Sequence, residues 1–132
     1  MTKRILLLCA LLAIVGAAFV TGRSLASGQK KETQFAGVFK AVRVDFVKNG
    51  PRAEDMPYLQ QHVKYWLPLT DQGVCLAVGH TLNHDETAFG IAVVKADSEA
   101  AARKIMEDDP IVRAGILTVT VFPFEGVISK KP

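Results

Sequence analysis

Cysteine is nearly absent from this chain, with two in 132 residues. Cys9 lies inside an N-terminal apolar run, so only Cys75 belongs to the part expected to fold. A lone cysteine forms no intramolecular disulfide, and such a domain is held by its core alone. Cys75 sits in an apolar strand pattern and reads as a small buried hydrophobe, not a nucleophile or ligand. Excess charge is lacking as well. Lys3, Arg4 and Arg23 account for the whole formal charge of +3, so the rest of the chain is balanced between its acidic and basic residues. A balanced surface with no aromatic-plus-basic signature argues against nucleic acid as a partner. No glycine-rich loop follows a strand, so no nucleotide site and no cofactor are expected. Internal repeats and low-complexity segments are missing too.

One long hydrophobic run is present, from Ile5 to Val20. Lys3 and Arg4 precede it, and Ser24-Leu25-Ala26 follows as a small-x-small cleavage pattern. This is the layout of a secretory signal peptide over residues 1–26, which implies a secreted or periplasmic protein. The run is about 16 residues, short of the roughly 20 that span a bilayer. An uncleaved N-terminal membrane anchor is the alternative, and only then would a membrane be a partner. Polar residues 27–35 read as a linker. Residues 36–132 then form one domain, since the roughly 106 residues left after the signal segment suffice for one and not two.

Within that domain the hydrophobic period changes along the chain. Val42, Val44 and Phe46 alternate with Arg43 and Asp45, which predicts the first strand. A helix is expected to start at Asp55 to Pro57, with Asp55 as cap, and to end at Asp71-Gln72-Gly73. Leu59, Val63 and Trp66 form its expected buried stripe, and Tyr58, His62, Tyr65 and Leu69 a second row beside it. Pro68 predicts a kink or an early last turn. Strand two is read at Val74 to Thr81, with Val74, Leu76, Val78 and His80 on one face and Cys75, Ala77 and Gly79 on the other. Asn83-His84-Asp85 reads as a turn, and Ala88 to Ala96 as strand three. Asp97 or Ser98 caps a second helix through Met106, and Ile116 to Phe122 is strand four. The order βαββαβ is the ferredoxin-like pattern, an α+β sandwich. Two helices cover one face of such a sheet. The other face still carries apolar residues, and a second copy covers it most simply, so a homodimer with clefts near the interface is expected.

The residues with the most chemistry are His62 and Asp109. A histidine and a carboxylate far apart in sequence can meet in a fold and form an acid–base pair near neutral pH. Each also has a plain explanation. A histidine in an amphipathic helix is usually a solvated boundary residue, and Asp before Pro110 can cap a new turn. Against the plain explanation, Glu107-Asp108-Asp109 places three acids at a helix C-terminus, where the macrodipole disfavours them. His80, His84 and Asp85 are weaker candidates as metal ligands, because they fall on a strand end and a turn and do not secure three ligands, so no metal is expected. Tyr65, Trp66 and Phe89 can line a cleft, but packing in the core is their expected use.

Taken together, these residues resemble the YciI-like (YCII-related) family, within the dimeric α/β-barrel group. The resemblance is carried by the His62 helix, Gly73-Val74-Cys75-Leu76-Ala77-Val78-Gly79, Ser98-Glu99-Ala100-Ala101, Asp109-Pro110, Gly115 and Val121-Phe122-Pro123-Phe124. It implies a ferredoxin-like dimer and a catalytic His62/Asp109 dyad in a small cleft. Some relatives of this kind are linked to elimination or dehydrochlorination of hydroxylated aromatic compounds. The chain departs from the family in its secretion signal and in Pro68. Three functions therefore compete. They are an exported small-molecule enzyme of lyase or isomerase type, a non-catalytic ligand-binding or dimerisation module, and a membrane-tethered accessory protein.

Overall fold

The computed structural model describes residues 33–127. The signal segment 1–26 and most of the 27–35 linker lie outside the described residues. Four strands, β1 (Gln34–Ala41), β2 (Cys75–His80), β3 (Gly90–Lys95) and β4 (Leu117–Phe124), form one sheet in the order β2-β3-β1-β4. All three pairings are antiparallel. Helices α1 (Val44–Asn49) and α2 (Met56–Asp71) join β1 to β2. Helices α3 (Glu99–Glu107) and α4 (Pro110–Arg113) join β3 to β4. This is the expected α+β ferredoxin-like arrangement, with two short helices added. No helix among the described residues is long and apolar enough to cross a membrane.

The first strand lies earlier than the alternation of Val42, Val44 and Phe46 suggests. Residues 44–49 fold as α1, and β1 begins at Gln34, within the stretch read as linker. The true period is masked by small residues. Phe35 and Phe39 are buried, and between them on the same face stands Gly37. A Cβ at Gly37 would lie 2.2 Å from Met106 Sδ and 3.2 Å from Val119 Cγ2, so α3 closes onto β1 only because that side chain is missing. Met106 is fully buried and has little room to yield. Gly37→Ala is therefore expected to destabilise by about 1–3 kcal/mol through overpacking. Urea unfolding checks it, and an unchanged midpoint would show that Met106 repacks freely.

The face of α2 is rotated by about one residue from the expected stripe. Val63 is 54% exposed, whereas Trp66 is 2% exposed. Leu59, His62, Tyr65 and Leu69 are half-buried beside Trp66. The aromatic side chains decide the face because they bring both area and polar anchors. Tyr65 donates its hydroxyl hydrogen to the Ile105 carbonyl at 2.6 Å, tying α2 to α3. Burial, then the charges of Asp108 and Asp109, raise the Tyr65 pKa. Pro68 does not end the helix, which continues to Asp71. Gly73, at φ +70, takes the left-handed turn that stops it, and the Val74 amide donates to the Leu69 carbonyl.

Asp55 precedes α2, but its carboxylate caps nothing there. It turns back to accept from the Arg52 amide at 2.8 Å and from the Arg43 guanidinium, clasping the start of α1 to the start of α2. Burial works to raise the Asp55 pKa, and the Arg52 amide and Arg43 together outweigh it, so the pKa lies below its ordinary 3.8. A depressed carboxylate contributes stability above its unfolded value and loses it as pH falls through the folded value. The stability gap between wild type and Asp55→Asn is thus expected at pH 6 and to close below about pH 3.8, as read by thermal melts. A gap that stays constant across pH would contradict the clasp.

Strand β2 also departs from simple alternation. Cys75 pairs with Val94 and Ala77 with Val93, so Leu76 is an extra residue in a bulge. The bulge moves Val78 and His80 onto the helix-covered face, together with Cys75. Cys75 is 2% exposed, as a core residue should be. The core on this face joins Phe35, Phe39, Trp66, Val94, Met106 and Val121. Among the described residues, no helix covers the opposite face of the sheet, and Ile91, Phe122 and Phe124 are exposed there.

Candidate active site

Helix α2 carries His62 and Trp66 one turn apart on its inner side, and the α3–α4 junction carries Asp109. The acidic run is divided between two helices. Asp108 follows α3 and pairs with Lys104 at 2.7 Å. Asp109 is the N-cap of α4, where negative charge is favoured. Pro110 has no amide hydrogen, and the Ile111 amide donates to Asp109 Oδ1 at 3.1 Å. The plain reading of Asp-Pro as a cap is correct, and it uses only one of the two carboxylate oxygens.

The other oxygen meets His62. His62 Nδ1 lies 2.7 Å from Asp109 Oδ2, and Trp66 Nε1 donates to the same Oδ2 at 2.7 Å. Asp109 is fully buried, while the His62 side chain is 26% exposed. Trp66 and Ile111 can only donate here, so the carboxylate acts as acceptor throughout and His62 Nδ1 supplies the hydrogen. In the neutral ring this leaves the lone pair on Nε2. Trp66 also packs edge-on against His62, Tyr65 and Phe39, with ring centroids 5.5–6.5 Å apart. Its burial is the core packing expected of it, and its hydrogen bond to Asp109 is the part that the sequence did not show. The readable signal is the spacing His62-x-x-x-Trp66, which stacks two ring N–H groups on one helix face.

His62 borders a cleft of about 660 Å³ between the helices and the β2–β3 edge of the sheet. Phe39, Phe46, Leu59 and Phe89 give it apolar walls. Asp109, Tyr65 and Trp66 do not border it. The carboxylate is therefore shielded behind the imidazole, and the imidazole is the member of the pair that faces the cleft. His80 and His84 border the same cleft, but Asp85 binds Asn83 and Thr87 within its own turn. Among the described residues, no three His, Cys, Asp or Glu side chains group as metal ligands.

The model of the YCII-related domain matches residues 41–125. The chain belongs to the YCII-related domain family. No curated protein matches it in sequence. Among solved structures it is similar to 5-chloro-2-hydroxyhydroquinone dehydrochlorinase from Burkholderia phenoliruptrix, determined in complex with 2,5-dihydroxybenzoquinone. The TM-score is 0.51 at 17% identity, covering 69% of this chain and 93% of that one. At that identity the likeness establishes the shared α+β ferredoxin-like fold alone and leaves the chemistry to be argued from the site.

Proposed function

We propose that this YCII-related protein is a small-molecule enzyme of lyase or isomerase type, with His62 and Asp109 as its acid–base dyad. The observation that carries this is the 2.7 Å contact between His62 Nδ1 and a buried Asp109 carboxylate, at the wall of an apolar cleft. Asp109 sets the tautomer, so Nε2 is the base. Nε2 would take a proton from a C–H or O–H of the substrate. The imidazolium so formed lies against the Asp109 charge, which stabilises it. In an elimination the electron pair of the broken C–H bond forms a double bond as the leaving group departs with its own pair. In an isomerisation the same proton returns to a different atom. The dehydrochlorination named for the structural relative is an elimination of the first kind and a reason to test that class first.

The test is solvent-deuterium incorporation into a panel of small molecules with acidic C–H groups, followed by proton NMR, with chloride release scored for the chlorinated hydroxyhydroquinone. Incorporation or release by the wild type that His62→Gln loses is the expected result. Equal turnover by both proteins would sink the proposal. Export through residues 1–26 and a homodimer that covers Ile91, Phe122 and Phe124 belong to the same proposal. Mass spectrometry of the exported chain and sedimentation of the purified protein test them. An intact N-terminus would refute cleavage, and a monomer would refute the dimer.

A further inference from the structure

All three histidines of the chain border one cleft, although they come from three places: His62 from α2, His80 from the end of β2 and His84 from the β2–β3 connection. Their ring nitrogens are set in the same sense. His62 Nδ1 faces the Asp109 carboxylate, His80 Nδ1 lies 2.9 Å from the Thr81 carbonyl, and His84 Nδ1 lies 3.4 Å from the Val47 carbonyl. A carbonyl oxygen only accepts, so Nδ1 of both His80 and His84 donates, and each neutral ring keeps its lone pair on Nε2. Among the described residues, the other polar side chains bordering the cleft, Thr81 and Asn83, are each partly engaged. Thr81 Oγ1 accepts from the Phe89 amide, and Asn83 Nδ2 donates to Asp85 and Thr87. Among the described residues, no Asp, Glu, Lys or Arg borders the cleft.

We infer that His80 and His84 are ligand-binding residues whose Nε2 atoms accept hydrogen bonds from hydroxyl groups of an uncharged, flat, ring-sized ligand. The inference deepens the active-site reading of the cleft and rests on it. A cleft that offers acceptors and no fixed charge selects a ligand that brings donors and no charge of its own, because a desolvated ion without a partner is costly. Phe39, Phe46 and Phe89 supply the walls for a flat ring. The three imidazoles do not converge as a metal site would require, so they act as separate points of contact along one ligand.

The test uses the full chain at pH 8 and three probes of one ring size: resorcinol, 1,3-dimethoxybenzene and 3-hydroxybenzoate. Binding is read by NMR shift titration. Resorcinol is expected to bind at least tenfold tighter than the dimethoxy ring, which has no donor, and tighter than the anion. The double substitution His80→Ala and His84→Ala is expected to weaken resorcinol about tenfold, the effect of two hydrogen bonds, while leaving the dimethoxy ring unchanged. Unchanged binding of the dimethoxy ring shows that the cleft is still formed. Equal affinities for resorcinol and its dimethyl ether, resorcinol binding indifferent to the double substitution, or no resorcinol binding would each overturn the inference. Histidine-dependent resorcinol binding without His62-dependent exchange would instead overturn only the enzyme reading. Exchange that depends on His62 but not on His80 or His84 would overturn only this inference.

Discussion

Replacing Asp109 by alanine is expected to lower the unfolding free energy by about 3–5 kcal/mol, the range for breaking a buried charged interaction. The side chain is wholly buried and gathers three N–H donors from two helices. Alanine leaves the Trp66 and Ile111 hydrogens without acceptors in a site that water does not reach, at about 1–3 kcal/mol each. It also removes the α4 cap, worth about 1 kcal/mol. These contributions overlap, so the sum is not the expected total. For a domain of this size the melting temperature should fall by more than about 12 °C, since each kcal/mol shifts it by roughly 4–8 °C. Asp109→Asn should cost about 1–3 kcal/mol. Whichever way the amide is turned, its NH2 group faces an N–H. An alanine variant within about 2 °C of wild type would refute the buried role of this carboxylate.

His62→Gln is expected to show the opposite balance, with a large effect on rate and a small one on stability. Loss of a positioned general base typically costs about 10²–10⁴-fold in rate. Stability should change by only about 1 kcal/mol, because Asp109 keeps Trp66 and Ile111 as donors and the partly exposed position admits water. Comparing turnover with melting temperature separates the two residues. In the proposed function Asp109 holds the site together and His62 meets the ligand. A His62→Gln protein that melts as low as Asp109→Ala would show His62 to be a structural residue.

Several features were legible because they depend on local rules. Ser98 caps α3, accepting from the Ala101 amide, as Ser before a helix-forming run predicts. Gly73 terminates α2 where a left-handed residue was needed. Strands β2, β3 and β4 fall within two residues of their expected ends because Val and Ile alternate or cluster there. The first strand was not legible. Its inward positions include Gly37, which carries no hydrophobic signal because its function is to make room for Met106. The false alternation at Val42 to Phe46 folds as α1 instead, with Arg43 drawn to Asp55, a partner twelve residues away.

The site divides in the same way. By itself the sequence singled out His62 and Asp109 as the residues with the most chemistry, offered a turn cap as the other use of Asp109, and set a ferredoxin-like order of elements, while their pairing as a dyad came from the resemblance to the YCII-related family. The first three need only residue type, spacing and period. Tertiary structure alone decided that Trp66 shares the carboxylate oxygen with His62, that Asp109 is sealed behind the imidazole, and that His80 and His84 reach the same cleft. The physical reason is that each depends on a rotation or a register. The facing of α2 is set by what its aromatic residues touch on α3 and α4. The placement of His80 is set by one extra residue in β2, which reverses the side on which it stands.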